Sequence, residues 1–165
     1  MSAPLNAGAR PSEPAAVGVL IVDDQLAVRE GLARLIACAP LALRFVSSVA
    51  TAAEALAAAA RLHPEIVVVD VDLAGEDGLA LLPHLTPRSA VLVLTSHGDA
   101  ATRARAIALG ALAFVEKHQP AAVLLEAITQ LGLTRVRGDK PPSLQVAASP
   151  SPMGAFSAVH GPVRP

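Results

Sequence analysis

Residues 67–78 read VVVDVDLAGEDG, and the reading of this stretch decides the fold. Three valines follow Ile66 without a polar break, which predicts a strand over Ile66–Asp70 covered on both faces. The run stops at a carboxylate, Asp70, with a second one at Asp72 and a glycine-rich segment behind it. In an open α/β sheet, ligands bind outside the carboxyl ends of the strands, so an acidic residue at this position is a candidate for chemistry.

The same alternation runs outward in both directions. Upstream, residues 17–23 (VGVLIVD) form an apolar run and hence a buried strand. Residues 25–39 place Val28, Leu32, Leu35 and Ile36 at helical spacing, ended by Pro40. Residues 43–47 read as a weaker strand. Thr51, with Glu54 three residues on, predicts a capped helix through EALAAAARL. Downstream come a short helix over 79–85, a strand over 91–95 (VLVLT) and a helix over 99–109 stopped by Gly110. A last strand over Ala113–Glu116 precedes a helix that Pro120 opens and that runs to about residue 131. These are five β-α units. Their apolar strands and the right-handed crossover rule predict a doubly wound α/β fold, a five-stranded parallel sheet in the order 2-1-3-4-5.

Composition bounds what the fold can do. Of 165 residues, 53% are hydrophobic and 16% charged, enough to fill a core. A net charge of −1 argues against a broad nucleic-acid surface, and 2% aromatic residues argue against base stacking. No apolar run has the length of a membrane span, and the amino-terminal segment lacks the apolar stretch of a signal peptide, so a cytoplasmic location is expected. Cys38, the one cysteine, sits in LARLIACA and is expected to be a buried core thiol. Residues 1–16 and 132–165 are rich in Pro, Ala and Ser and are expected to be disordered, leaving 17–131 as the folded unit.

The strand ends carry the functional candidates. Asp23 and Asp24 follow the first strand, Asp70 ends the third, Thr95 ends the fourth and Lys117 follows the fifth. Taken singly, each has an ordinary reading as a turn, cap or solvated charge. Taken together, the strand order brings the three carboxylates, the hydroxyl and the ammonium to one edge. Three close carboxylates repel unless a cation sits among them, and a hard oxygen-seeking ion such as Mg²⁺ suits such a site.

Over residues 17–131 the sequence resembles the receiver domain of two-component response regulators. The resemblance rests on Asp23-Asp24, on Asp70 within VVVDVDLAGEDG, on Thr95 within VLVLTS and on Lys117 within AFVEK. It implies that Asp70 accepts a phosphoryl group from a histidine kinase or phosphotransfer protein. It implies Mg²⁺ held directly by Asp24, by Asp70 and by the backbone carbonyl of Asp72, with Asp23 binding the ion through water or orienting it. Lys117 and Thr95 would contact the phosphoryl oxygens. Phe114 occupies the family's aromatic switch position and would turn inward when Thr95 moves. No enzyme acting on external substrates is implied.

Some features depart from the family pattern. Ala74-Gly75 stands where Pro-Gly is usual, and Lys117 is followed by His118-Gln119 before Pro120, so a trans bond after Lys117 is expected. His97 and His118 flank the site, and His97 is a candidate to affect loss of the phosphoryl group. FVEKHQP resembles receivers that precede a DNA-binding helix-turn-helix, yet no amphipathic helix pair follows residue 131, so direct DNA binding is not expected. Two other readings stand beside this one. One is a degenerate receiver that binds partners without phosphorylation. The other is a haloacid-dehalogenase-type phosphatase, which the position of Asp23-Asp24 ahead of Asp70 disfavours. The resemblance places a partner surface, for a target or a second copy, on the fourth helix (Arg103, Arg105, Leu109), the fifth strand and the last helix (Leu124, Leu125, Ile128).

Overall fold

A computed structural model describes residues 16–39 and 42–137. The main sheet contains β1 (Val17–Val22), β2 (Leu43–Val49), β3 (Ile66–Asp70), β6 (Ala90–Thr95) and β7 (Ala113–Glu116). All its pairings are parallel and its order is β2-β1-β3-β6-β7, the order the sequence predicts. A two-stranded antiparallel hairpin, β4 (Asp72–Leu73) and β5 (Glu76–Asp77), follows β3 directly.

Side-chain alternation along the strands divides the core into two layers. Val19, Ile21, Ile66, Val68, Leu92 and Val115 pack under α1 (Leu26–Ala37) and α5 (Ala121–Arg137). Leu20, Val22, Val67, Val69, Val93 and Phe114 face α2 (Ala52–Leu62), α3 (Leu82–Leu85) and α4 (Ala100–Ala108). Strands apolar at every position are therefore buried on both faces, which is why VVV reads as a run and not as an alternation.

The helix signals act as caps. Thr51 Oγ1 accepts from the Glu54 backbone N–H at 3.3 Å while the Glu54 carboxylate accepts from the Thr51 N–H at 3.2 Å, a complete capping box on α2. Asp99 caps α4 by accepting from the Thr102 N–H at 2.8 Å, and Gly110 takes φ +96° just past its end.

Four expectations need correction or a limit. Cys38 is exposed, not a core thiol: it caps the C-terminus of α1, off the stripe formed by Leu32 and Ile36. Helix α5 runs to Arg137, six residues beyond the end read from sequence, because Leu131 and Gly132 still bury against the sheet. Residues 79–85 are a 3₁₀ turn (Gly78–Leu81) running into the four-residue α3. The expected disorder of residues 1–15 and 138–165 lies outside the described residues, as does Pro40.

Candidate functional site

The site is built where β1, β3, β6 and β7 end together. β3 delivers Asp70 with only 4% of its surface exposed, and β1 delivers Asp23 with 1% exposed. Asp24 is half-buried beside them. One carboxylate oxygen from each of the three lies within 4.8 Å of the others. Lys117 enters from the end of β7, its backbone N–H donating to the Thr95 carbonyl at 2.7 Å. Its ammonium reaches Asp70 Oδ2 at 2.5 Å and Asp23 Oδ2 at 2.7 Å.

The charges do not balance. Three carboxylates face one ammonium. Burial raises the pKa of Asp70, and the hydrogen bond and charge of Lys117 only partly offset it. For Lys117, burial alone would lower the pKa, but its bonds to Asp23 and Asp70 prevail and raise it. Lys117 is thus firmly charged and Asp70 remains short of positive partners. Asp23 Oδ2 is also buried, and its cationic partner is the same Lys117 ammonium, 2.7 Å away, that Asp70 uses. Buried carboxylates that must share one cation are costly in an apolar interior. The residues therefore fit a divalent cation. One oxygen from each carboxylate lies within reach of a common point, and all the donors are hard oxygens.

Neighbouring groups fix this geometry. Asp23 Oδ1 accepts from the Gln25 N–H at 2.9 Å, which aims its other oxygen at Lys117. Arg29, from the first turn of α1, donates Nη1 to the backbone carbonyls of Asp23 at 2.7 Å and Asp24 at 2.9 Å. Gly78 lies so close to β3 that an added Cβ would collide with the Asp70 carbonyl. Ala74 and Gly75 have φ +55° and +91°, so they form the two-residue left-handed turn of the β4–β5 hairpin. Proline cannot adopt a positive φ, so the Ala-Gly departure from the usual Pro-Gly changes the turn itself. Asp72 turns its carboxylate into that hairpin, accepting from the Gly75 N–H at 2.8 Å, and its own N–H points at Asp70 Oδ1 at 3.4 Å.

Thr95 is buried, and its hydroxyl accepts from the backbone N–H of His97 at 3.2 Å. Phe114 is buried, 3% exposed, at the end of the sheet beside Thr95. The Arg103 guanidinium covers its ring at 4.5 Å from the centroid. His118 pairs with Glu116 at 3.1 Å, away from the carboxylates. No cis peptide bond occurs among the described residues, so the bond after Lys117 is trans.

Sequence reasoning found the strand-end residues but missed Arg29, Gly78 and the Arg103–Glu116 pair. One signal for Arg29 was available. A cation in the first turn of a helix opposes the helix dipole, so it needs a partner elsewhere. The other two depend on contacts between elements that no local pattern reports.

Comparison with known proteins bears on the same residues. A family model described as the response regulator receiver domain matches residues 19–129. The transcriptional regulatory protein FixJ of Azorhizobium caulinodans is 37% identical over 129 residues, covering 76% of this chain. The chain spans 60% of the length of that relative. Among solved structures, a LuxR-family two-component response regulator from Aurantimonas sp. SI85-9A1 superposes with a TM-score of 0.67 at 30% identity, over 78% of this chain and 91% of that one. A response regulator protein from Burkholderia pseudomallei, solved with a phosphorylated aspartic acid, calcium ion and citrate, gives a TM-score of 0.61 at 27% identity over 73% and 72% of the two chains.

Proposed function

This chain belongs to the response regulator receiver family, and from that membership we infer that it is a phosphoacceptor switched by phosphorylation of Asp70. The observation that carries the reading is the buried Asp70 carboxylate, held at 2.5 Å by Lys117 among Asp23 and Asp24. In the transfer, an Asp70 carboxylate oxygen attacks the phosphorus of a donor phosphohistidine. The new O–P bond forms as the P–N bond breaks, and the bonding electrons return to the donor imidazole. The strand fixes the nucleophile, so little is lost to misorientation.

Asp23, Asp24, Asp70 and the Asp72 carbonyl would hold Mg²⁺, which supplies neutralisation of charge on the phosphoryl oxygens when bound. Lys117 pairs with one of those oxygens, exchanging part of its contact with Asp70 for the phosphoryl group. Thr95 leaves the His97 backbone to donate its hydroxyl to another. Arg29 holds the Asp23–Asp24 corner in place throughout. The protein catalyses its own phosphorylation and dephosphorylation and turns over no external substrate pool.

The donor is a histidine kinase or a histidine phosphotransfer protein, and the signal passes on through α4, β7 and α5 to a target or a second copy. Among the described residues no helix is long and apolar enough to cross a membrane. The reading is tested by transfer from a phosphorylated histidine kinase followed by borohydride reduction and peptide mass mapping. Homoserine at position 70 is expected. Reduction at another aspartate, or none under any donor, would overturn the assignment.

A further inference from the structure

We propose that Asp77 and Arg105 are a positioning pair that ties α4 to the β4–β5 hairpin, so that Mg²⁺ at the acidic site steadies α4 and α4 strengthens the hold on Mg²⁺. The proposal rests on the receiver reading above. It adds a connection from the site to the output helix that does not pass through Thr95.

α4 has little apolar packing of its own. Of its nine residues only Ala106 is buried, and Ile107 is 50% exposed. A helix with few buried apolar contacts opens readily, so polar ties decide how firmly it sits. Asp99 caps its start. Further along, Arg105 reaches off the helix, and its Nη2 lies 2.5 Å from Asp77 Oδ2.

Asp77 is itself held from the other side. Its Oδ1 accepts from the Leu79 N–H at 3.0 Å. In the hairpin it stands opposite Asp72, whose backbone carbonyl is among the groups that would hold Mg²⁺. The hairpin has no slack against β3. The Gly78 N–H donates to the Val71 carbonyl at 2.7 Å, and a Cβ on Gly78 would collide with the Asp70 carbonyl. Asp70, Asp72 and Asp77 therefore shift as one body. An ion that fixes the Asp72 carbonyl fixes Asp77 with it, and through the ion pair it removes freedom from α4. By linkage the same factor applies in both directions. The Arg105 and Asp77 side chains are 54% and 43% exposed, so that factor is about two- to fivefold, the range an exposed ion pair supplies.

The test uses the full chain as wild type, Asp77→Asn, Arg105→Gln and the double variant. Asparagine keeps an oxygen for the Leu79 N–H, so Asp77→Asn removes the ion pair and leaves the cap. Two quantities are read: calorimetric Mg²⁺ affinity, and hydrogen exchange of the α4 amides with and without Mg²⁺. Arg105→Gln decides the matter by sign. Removing a cation near an acidic site should tighten Mg²⁺ through charge alone. The tie predicts the reverse, a half-saturating Mg²⁺ concentration raised about two- to fivefold. Mg²⁺ should slow α4 exchange in wild type and clearly less in either single variant. At rest, both single variants should exchange faster across α4, and the double variant no faster than either, since the two residues act as one pair. Unchanged or tighter Mg²⁺ binding in Arg105→Gln would overturn the proposal, as would equal slowing of α4 exchange by Mg²⁺ in all four proteins. A wild type that binds no Mg²⁺ would count against the phosphoacceptor reading, while the comparison at rest would still decide whether the pair holds α4.

Discussion

Val69 and Asp70 are neighbours on β3 and share its burial, at 0% and 4% exposed, but that burial acts on them with opposite sign. For Val69 and the rest of the sheet's body it stabilises the fold, at about 25 cal/mol for each Å² of apolar surface removed from water. For Asp70 it opposes ionisation and raises the pKa. The body of the sheet is stable enough to hold a carboxyl edge that is electrostatically unfavourable. That edge gathers three carboxylates around one ammonium. Stability and chemistry are thus separated along the same strands.

The largest effect should come from the body. Leu92 is fully buried in the layer under α1 and α5, and Leu92→Ala should lose about 2–5 kcal/mol in urea unfolding. A loss well below that range would mean the sheet's body is not what supports the edge.

The second effect has the opposite sign and arises at the edge. Asp70→Asn should be more stable than wild type at neutral pH without divalent ions. The folded pKa of Asp70 is raised, so in the wild type its contribution is fully present below the ordinary value of 3.8 and is lost as pH rises through the folded pKa. The stability gap between the variant and wild type should therefore be absent in acid and open as pH rises. Mg²⁺ at a hundred times its Kd should add about 2.7 kcal/mol to the wild type and clearly less to Asp70→Asn. Thermal unfolding across pH, with and without Mg²⁺, checks both; a gap that narrows on raising pH would break the comparison.

Arg29 sharpens it further, since it touches the carbonyls of the acidic corner and not the carboxylates. Arg29→Ala should raise the Mg²⁺ concentration for half-saturation by about tenfold, as removing an outer partner of a ligand commonly does. The rate at saturating Mg²⁺ should change much less. Calorimetric titration of Mg²⁺ reads the first quantity directly, and an unchanged affinity would reduce Arg29 to a helix contact.

The smallest effect lies in the hairpin behind Asp70. Ala74 holds φ +55°, a conformation that asparagine accepts more readily than alanine. Ala74→Asn should stabilise the protein by up to about 1 kcal/mol in urea unfolding. Destabilisation would show that the turn is not left-handed in solution.

Most of the fold was legible because its signals are local. Apolar runs such as VGVLIV and VLVLT mark strands buried on both faces, Thr51 and Glu54 announce a cap, and Gly110 ends a helix. The strand-end positions of Asp23, Asp70, Thr95 and Lys117 follow once the strand order is known. What was not legible depends on contacts across elements. Cys38 lies one position off the buried stripe of α1, a distinction a composition-based reading of LARLIACA cannot make. The continuation of α5 to Arg137 comes from packing against the sheet, where Pro and Ser further on suggested an earlier stop. The hairpin after Asp70 lacks the Asn-Gly or Asp-Gly pair that usually announces one. The Arg103 guanidinium that covers Phe114 comes from α4, eleven residues earlier in the chain.

The central claim is that Asp70 is the phosphoacceptor, and intact mass tests it most directly. Wild type and Asp70→Asn are incubated with Mg²⁺ and acetyl phosphate, and with a phosphorylated histidine kinase as second donor. The account predicts a gain of one phosphoryl group in wild type and none in Asp70→Asn. Equal gain in both proteins, or no gain in wild type with either donor, would contradict it.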